Sequence, residues 1–361
     1  MERAKRSTLK EISRCTKTSI STVAAVLRND PSCFAGPELR KKILSAAREL
    51  NYRPNIIARM LRTKKSNTLG LILPNMQISS TAANMEIIEG LVWKKGYHLF
   101  IGYSQNDSAK EETLMADLVN RYVDGLIFVV GSDISSERPY LKHLIAQKFP
   151  IVSINKLQEF ALPSVSTDFR KGGELAGEYL VKLGHRNFAA ITGDPDDPTI
   201  KNRTEGFQEK IKKAGARMQI VMASPKKNHK GISKVIYLEE YVKEGYKLAQ
   251  KILSRKTRPT AIFSGNDELG VGVIKAAINL GIKIPQELSV VGFDDSPAAT
   301  FAPVFLTTIR QPKEEIARKA TEIMFKMIAE KKEIRADDTS RQILLEPKLI
   351  IRDSTAVVRK K

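Results

Sequence analysis

At 361 residues, with 42% apolar and 28% charged side chains, the chain is long enough for two or three domains and too apolar to be read as disordered. Its formal charge of +20 is uneven, because residues 1–66 hold 16 Lys and Arg against 5 Asp and Glu and so carry +11 of it; such an end fits a polyanion partner, with a solvated basic tail as the alternative. No apolar run approaches the roughly 20 residues of a membrane span, the opening MERAKRSTLKEIS has no apolar signal core, and two cysteines, Cys15 and Cys33, make no disulfide framework, so the expected setting is a reducing cytoplasm without membrane attachment.

In chain order, residues 8–50 read as three short helices. Thr8 followed by Glu11 is a capping-box pattern that offers oxygen acceptors to unpaired N–H groups and starts a helix carrying Leu9 and Ile12 on one face. After the polar stretch 16–19, the run Ile20 to Leu27 places Val23, Val26 and Leu27 at helical spacing, with Ser21, Thr22 and Ala25 on the opposite side. Gly36, Pro37 and Glu38 then read as N-cap, first-turn proline and first-turn acid of a third helix through Ile43, Leu44, Ala47 and Leu50. The segment 55–67, NIIARMLRTKKSN, has helical apolar spacing but strong positive charge; it reads either as a helix that forms when its charges are paired or as a solvated linker.

From Leu69 onward the pattern changes to brief apolar runs alternating with longer amphipathic stretches: LGLIL (69–73), HLFIGY (98–103), GLIFVV (125–130), PIVSI (150–154), FAAI (188–191), AIF (261–263) and SVVGF (289–293). Continuous apolar strands separated by helices predict parallel sheets covered on both faces, hence two doubly wound α/β lobes with ligand sites after the strand C-termini. His98, His143, His185 and His229 share no spacing that would gather them on one helix, so neither a metal nor a cofactor is expected.

Two short helices joined by a tight turn in a basic surround suit insertion of the second into a DNA major groove. The run TLKEISRCTKTSISTVAAVLRND followed by RKKILSAARELNYRPNIIARMLR closely resembles the headpiece and hinge of the lactose-repressor/galactose-repressor family. VDGLIFV, LVKLGHRNFAAITG, NRTEGF, AIFSGNDELGVGVIKAAINLGIKIPQELSVVGFDD and LTTIRQP resemble later family segments in the family's order. The resemblance implies an all-α helix-turn-helix headpiece (1–54), a hinge helix and linker (55–67), and a periplasmic-binding-protein-like effector-binding and dimerisation core (68–361) of two doubly wound parallel-sheet lobes. The first lobe is expected at about 68–164 and 311–340, and the second at about 165–310 and 341–357. It implies a homodimeric or larger DNA-binding regulator of a palindromic operator, a repressor because a bound dimer blocks polymerase, controlled by a small sugar-like effector.

Carried over residue by residue, the resemblance puts Ile20 and Ser21 against base edges at the start of the recognition helix. Ser19 and Thr22 fall on phosphates, and Thr8 joins this surface. Relatives often carry arginine where this chain has Ala25, so a bidentate contact to guanine is missing there; Arg28 and Asn29 follow the helix as compensating contacts, in a loop (29–35) about two residues longer than the family norm. In the hinge, Asn55, Ala58 and Leu61 match an NxxAxxL pattern, with Leu61 as a minor-groove wedge and Arg59 and Arg62 on neighbouring phosphates.

For the effector, the implied residues are Asn75, Asn155, Arg203, Asn266 and Asp294, where an arginine fork holds vicinal hydroxyls or a carboxylate. Asp267 and Asp295 read as structural. NMQISSTAANM in place of the family's Asn-Pro-Phe-Phe pattern, and Phe169 in place of an asparagine, leave the ligand's identity open. Two other classes compete. Catalysis by the cluster Asp194, Asp196 and Asp197 is disfavoured by the interrupting Pro195 and Pro198, so no enzyme is expected; a secreted sugar-binding component of a transporter is disfavoured by the basic headpiece.

Overall fold

A computed structural model describes residues 7–53, 60, 63, 65–74, 79–131, 137–157, 159–224, 238–330 and 341–358. The chain divides into two compact units, Met1–Ser66 and Asn67–Lys361. In the first, α1 (Leu9–Thr16), α2 (Ile20–Leu27) and α3 (Pro37–Glu49) close over Ile12, Val23, Val26, Ile43 and Ala47. The capping box forms as expected: the Thr8 amide donates to the Glu11 carboxylate at 2.7 Å, while the Glu11 amide donates to the Thr8 hydroxyl at 3.4 Å. Lys17 ends α1 in the left-handed region at φ 53, which turns the chain sharply enough for Ser19 to cap α2 three peptide bonds after Thr16. Pro37 occupies the first turn of α3, where its missing N–H leaves no bond unmade.

The second unit holds two six-stranded sheets. In chain order its first part runs β1 (Thr68–Leu73), α4 (Ser79–Lys94), β2 (His98–Tyr103), α5 (Ser108–Asn120), β3 (Gly125–Val129), α6 (Pro139–Ala146), β4 (Ile151–Ile154) and β5 (Ser164–Thr167). There follow α7 (Phe169–Lys182), β6 (Asn187–Thr192), α8 (Pro198–Lys213), β7 (Arg217–Met222), α9 (Leu238–Leu253), β8 (Ala261–Ser264), α10 (Asp267–Asn279), β9 (Ser289–Asp294), α11 (Ala298–Phe301) and β10 (Thr307–Arg310). The chain closes with α12 (Lys313–Glu330), β11 (Gln342–Leu345) and β12 (Lys348–Ile350). The first sheet has the order β11-β5-β4-β3-β1-β2 and the second β12-β10-β9-β8-β6-β7. All seven strands read from apolar runs are present, and in each sheet the order reverses beside the first strand, which opens a crevice at the strand C-termini.

Three expectations are corrected. The lobe boundaries move: Ser164–Thr167 pairs with β4, and Gln342–Leu345 pairs with β5, so both belong to the first sheet and not to the second lobe. The physical break comes at Asp168, whose carboxylate accepts from the Lys171 amide at 2.8 Å and starts α7, while its own amide donates to the Leu345 carbonyl at 2.9 Å. Nor is the second sheet wholly parallel, because β12 returns antiparallel along its edge strand β10. Finally, β2 and β7 are edge strands with one neighbour each, and they leave Phe100, Ile101, Ile220 and Met222 exposed where burial on both faces was expected.

Helices α7 and α8 approach so closely that a Cβ on Gly173 would lie 1.9 Å from the Arg203 carbonyl oxygen, and one on Gly206 would lie 2.0 Å from that of Arg170. Backbone cannot yield as a flexible side chain does, so Gly173→Ala is expected to cost about 3 kcal/mol through overpacking. A urea midpoint that falls at constant slope would carry this; an unchanged midpoint would mean that the helices separate freely.

At the opposite end of the second sheet, His185 is buried against Phe188, with Nδ1 2.9 Å from the Thr260 hydroxyl and Nε2 3.0 Å from that of Ser289. Burial pushes the imidazole from its ordinary 6.5 down to about 4. The unfolded chain therefore takes up the proton first, and the stability tied to His185 is lost as pH falls from about 6.5 towards 4, on the order of 3 kcal/mol when complete. Asp267 and Glu268, both raised by burial, act in the opposite direction. Melting curves of wild type and His185→Gln across this window separate the two: the variant is expected to lose less stability on acidification, and parallel losses would refute the assignment.

Candidate functional site

In the first unit the outer surface of α2 begins with exposed Ile20 and Ser21, which follow the cap residue Ser19. The Ser19 hydroxyl lies 2.7 Å from that of Ser21 and 2.8 Å from that of Thr22, and it accepts from the Thr22 amide at 3.1 Å. Three hydroxyls thus crowd a helix N-terminus, whose unpaired amides and dipole favour an anion such as phosphate. Ile20, at 46% exposure, is an apolar side chain with no core to enter. Thr8 is exposed, although its hydroxyl is engaged in the capping box.

Arg28 and Asn29 are tied into the loop that follows. Arg28 lies 3.8 Å from the Asp30 carboxylate, and the Asn29 side-chain carbonyl accepts from Arg40 at 3.1 Å with the Asn29 backbone at φ 51. Asp30 closes the turn by accepting from the Ser32 amide at 3.0 Å and hydroxyl at 2.7 Å, and the loop presents Phe34 fully to solvent. Neither Arg40 nor Phe34 was foreseen, since both follow a helix whose apolar spacing drew attention inward. Asn55, Ala58, Arg59, Leu61 and Arg62 lie outside the described residues, as does Asn75.

In the second sheet, Arg203 projects from α8 towards the strand ends, and it is buried. Its Nε donates to the Thr199 carbonyl at 3.2 Å and its Nη1 to the Gly265 carbonyl at 2.5 Å, with the Asp294 carboxylate 3.5 Å away. The guanidinium carbon lies 4.0 Å from the centre of the Phe293 ring and 5.0 Å from that of Phe169, so the cation is held on aromatic faces. Phe169, singled out as a departure from the family, therefore contributes a wall to the anchor.

Asp294 ends β9 at φ 108, well outside the usual left-handed well, and Asn155 follows β4 at φ 68. Strained backbone at two strand ends, one in each lobe, is the kind of cost that packing sustains at functional positions. Asn266 is less free than the sequence suggests, because its side-chain carbonyl caps α10 by accepting from the Leu269 amide at 2.8 Å.

Two partners at this end escaped sequence reasoning. Gln311, directly after β10, accepts from the Thr167 hydroxyl at 2.9 Å and donates to Asp294 Oδ1 at 2.6 Å, which links the first sheet through Asp294 to Arg203. Its one signal was its place in LTTIRQP at a strand end. Tyr241 is pushed up to about 12 by burial and by the carboxylates of Asp197, Glu268 and Asp294, so it remains a neutral hydroxyl donor at all working pH values.

The acids read as structural behave so. Asp267 accepts from the Thr308 hydroxyl at 2.5 Å and the Ser296 amide at 2.6 Å, and burial together with Asp294 holds its carboxyl well above the carboxylate range. Against the upward pull of burial, Arg352 and Arg310 hold Asp295 below that range, at 2.6 and 2.5 Å. Asp194 and Asp196 stand exposed in the turn after β6, where Asp197 caps α8. Among the described residues no cluster of three or more His, Cys, Asp or Glu could hold a metal ion, and no helix is long and apolar enough to cross a membrane.

Comparison with known proteins agrees with both halves. Residues 8–55 match the model of bacterial regulatory proteins of the lacI family, and residues 177–355 match a periplasmic binding protein-like domain. The chain is 30% identical over 349 residues to the HTH-type transcriptional repressor PurR of Serratia proteamaculans, covering 97% of each chain. It is 29% identical over 372 residues to the PurR of Erwinia tasmaniensis, again covering 97% of each. Among solved structures, a Lac repressor dimer bound to operator and the anti-inducer ONPF matches in fold with a TM-score of 0.80 at 20% identity, over 98% of this chain and 100% of that one. A LacI-family transcriptional regulator from Silicibacter pomeroyi matches with a TM-score of 0.75 at 24% identity, over 98% and 100%. With a reading head and a two-lobed core each matched in sequence, and with repressors among its full-length relatives, the chain belongs to the lacI family of bacterial regulatory proteins.

Proposed function

We propose that this protein is a repressor that binds a roughly palindromic operator as a homodimer in the cytoplasm and answers to a small polyhydroxylated, sugar-like effector. The observation that carries the reading is the start of α2, where exposed Ile20 and Ser21 stand beside three clustered hydroxyls on a helix N-terminus. Ser19 and Thr22 hold phosphates and set the register; Ile20 and Ser21 read bases. The hinge residues Asn55, Ala58, Arg59, Leu61 and Arg62 extend the contact into the minor groove, where Leu61 wedges a base step. The exposed edges of β2 and β7, with Phe100, Ile101, Ile220 and Met222, support pairing with a second copy.

The effector is held by Arg203 and Asp294 from one lobe and by Asn155 and Asn75 from the other, with Asn266 contributing the amide that its cap does not use. A sugar-like ligand is supported by the mixture of one guanidinium, three carboxamides and a carboxylate, and by solved structures of the same fold described with bound ribose and D-xylulofuranose. Because Gln311 joins Thr167 to Asp294, a ligand that draws on Asp294 also acts on the junction of the lobes. Coupling of that kind amounts to about 1 to 3 kcal/mol between effector and operator.

Two measurements test the assignment. Operators selected from a random pool by wild type and by Ile20→Ala/Ser21→Ala are expected to differ at one or two base positions per half-site, with specific affinity lost by about 10-fold or more and nonspecific affinity nearly unchanged; identical selected sequences would remove these residues from base reading. Arg203→Ala is expected to weaken the effector found by a sugar-panel thermal shift by about 10- to 100-fold, while operator affinity stays within a fewfold. Unaltered ligand affinity would displace the anchor from the site.

A further inference from the structure

Residues 1–66 account for +11 of the +20 charge, and residues 67–361 retain the remainder. In the second sheet part of that remainder gathers at one end. At the other end, beside the cleft, the strand-to-helix connections carry Asp194, Asp196, Asp197 and Asp295, with Asp294 closing β9, and the sequence of 223–237 adds Lys226, Lys227, Lys230 and Lys234. Four of its five helix-to-strand connections, residues 183–186, 214–216, 254–260 and 280–288, with Arg217 at the first position of β7, carry Arg186, Arg217, Arg255, Lys256, Arg258 and Lys283 against a single acid, Glu287, while the fifth, 302–306, is uncharged. The alternation of parallel strands and helices brings all these connections to one end of the lobe.

Cations in the last turn of a helix complement its dipole, and this accounts for Lys182, Lys210, Lys212 and Lys213. It does not account for the loop cations. Glu287 pairs with Arg258 at 2.7 Å, and among the described residues no carboxylate ion pair reaches Arg186, Arg217, Arg255, Lys256 or Lys283. Two of these are nonetheless held in place by neutral acceptors: Arg186 by the Val181 and His185 carbonyls, and Arg255 by the Gln219 side chain at 3.0 Å. Charge that is positioned but not neutralised is suited to an outside anion. The tail reaches the same end, where the Val358 amide donates to the Leu183 carbonyl at 2.9 Å, and the sequence continues with Arg359, Lys360 and Lys361.

We propose that this basic end of the second lobe is a sequence-independent docking surface for the phosphate backbone of a second DNA duplex. The four basic connections carry no exposed aromatic side chain, and the fifth, 302–306, carries one, Phe305; a single ring is no platform for successive unpaired bases, which favours a duplex over a single strand. The headpiece keeps DNA at high local concentration around the chain, so a weak phosphate surface elsewhere on it is occupied in preference to other polyanions. The surface lies at the end of the sheet opposite the cleft, and its occupation therefore leaves the effector site open. The proposal goes beyond the repressor reading and does not require an operator.

The test uses full-length protein and random-sequence duplexes of about 40 bp, one set labelled with a donor dye and one with an acceptor, titrated over roughly 50 to 200 mM salt. Wild type is expected to bridge the two duplexes, and Arg217→Gln/Arg255→Gln/Lys256→Gln/Lys283→Gln to bridge at least about 10-fold less, with a log–log salt slope about 3 to 4 units shallower. The charge-keeping Arg217→Lys/Arg255→Lys is expected to bridge as wild type does. Bridging that persists in the quadruple variant would overturn the proposal, as would tighter surface-dependent binding of single strands or of anionic phospholipid vesicles. Should the quadruple variant fail to fold, Lys256→Gln and Lys283→Gln are read singly, each with an expected loss of about 0.9 in slope, and no loss in either would be equally decisive. Failure of the repressor reading would appear separately, as selection of no preferred sequence by either protein.

Discussion

A positive charge removed from water at the centre of the second lobe is the constraint around which the cleft is arranged. Left alone, a buried guanidinium would cost several kcal/mol. Arg203 escapes that cost through two backbone carbonyls, the Asp294 carboxylate and two aromatic faces, drawn from four elements: α8, the end of β8, the end of β9 and the start of α7. Any shift among those elements disturbs the arginine, and conversely whatever engages the arginine biases those elements. The close approach of α7 and α8 at Gly173 and Gly206 belongs to the same arrangement, because it fixes the height from which the side chain starts.

The junction between lobes is correspondingly polar. Three chain crossings join the sheets, after Thr167, after Arg310 and between Leu345 and Lys348. Gln311 spans the first two with one bond to each side. A polar crossing of this sort has an amide that can turn and keep a partner, whereas the apolar cores on either side are close-packed and resist deformation. On the side of the second sheet, the buried acids Asp267 and Glu268 tie Ser296 and Thr308 in place.

Much of this was legible in the sequence wherever a residue acts through a local rule. Thr8 with Glu11, Gly36 with Pro37, and the unbroken apolar runs of β1, β3 and β9 reveal themselves within a few positions, because capping and strand burial depend on near neighbours. Of the five strands that escaped notice, Ser164–Thr167 and Thr307–Arg310 are short and rich in hydroxyls, whose bonds to Gln311, Asp267 and Thr355 exist only once distant segments meet. Gln311 and Tyr241 were hidden for the same reason. Lobe boundaries were misplaced by a strand's width because the chain leaves one sheet and enters the other without any break in hydrophobicity; the cap at Asp168 marks the change. Asn266 shows the opposite case, a residue that resemblance places at the ligand and whose carbonyl also caps a helix.

The internal bond between Gln311 and Asp294 also bears on the cleft. Both Gln311, at 2.6 Å, and Arg203, at 3.5 Å, lie on Oδ1 of the carboxylate, which has further acceptor positions on its second oxygen. A carboxylate held by one oxygen loses its freedom to turn. A donor arriving at the other would meet an acceptor already in place, and discrimination would then follow from rigidity rather than from strength of binding.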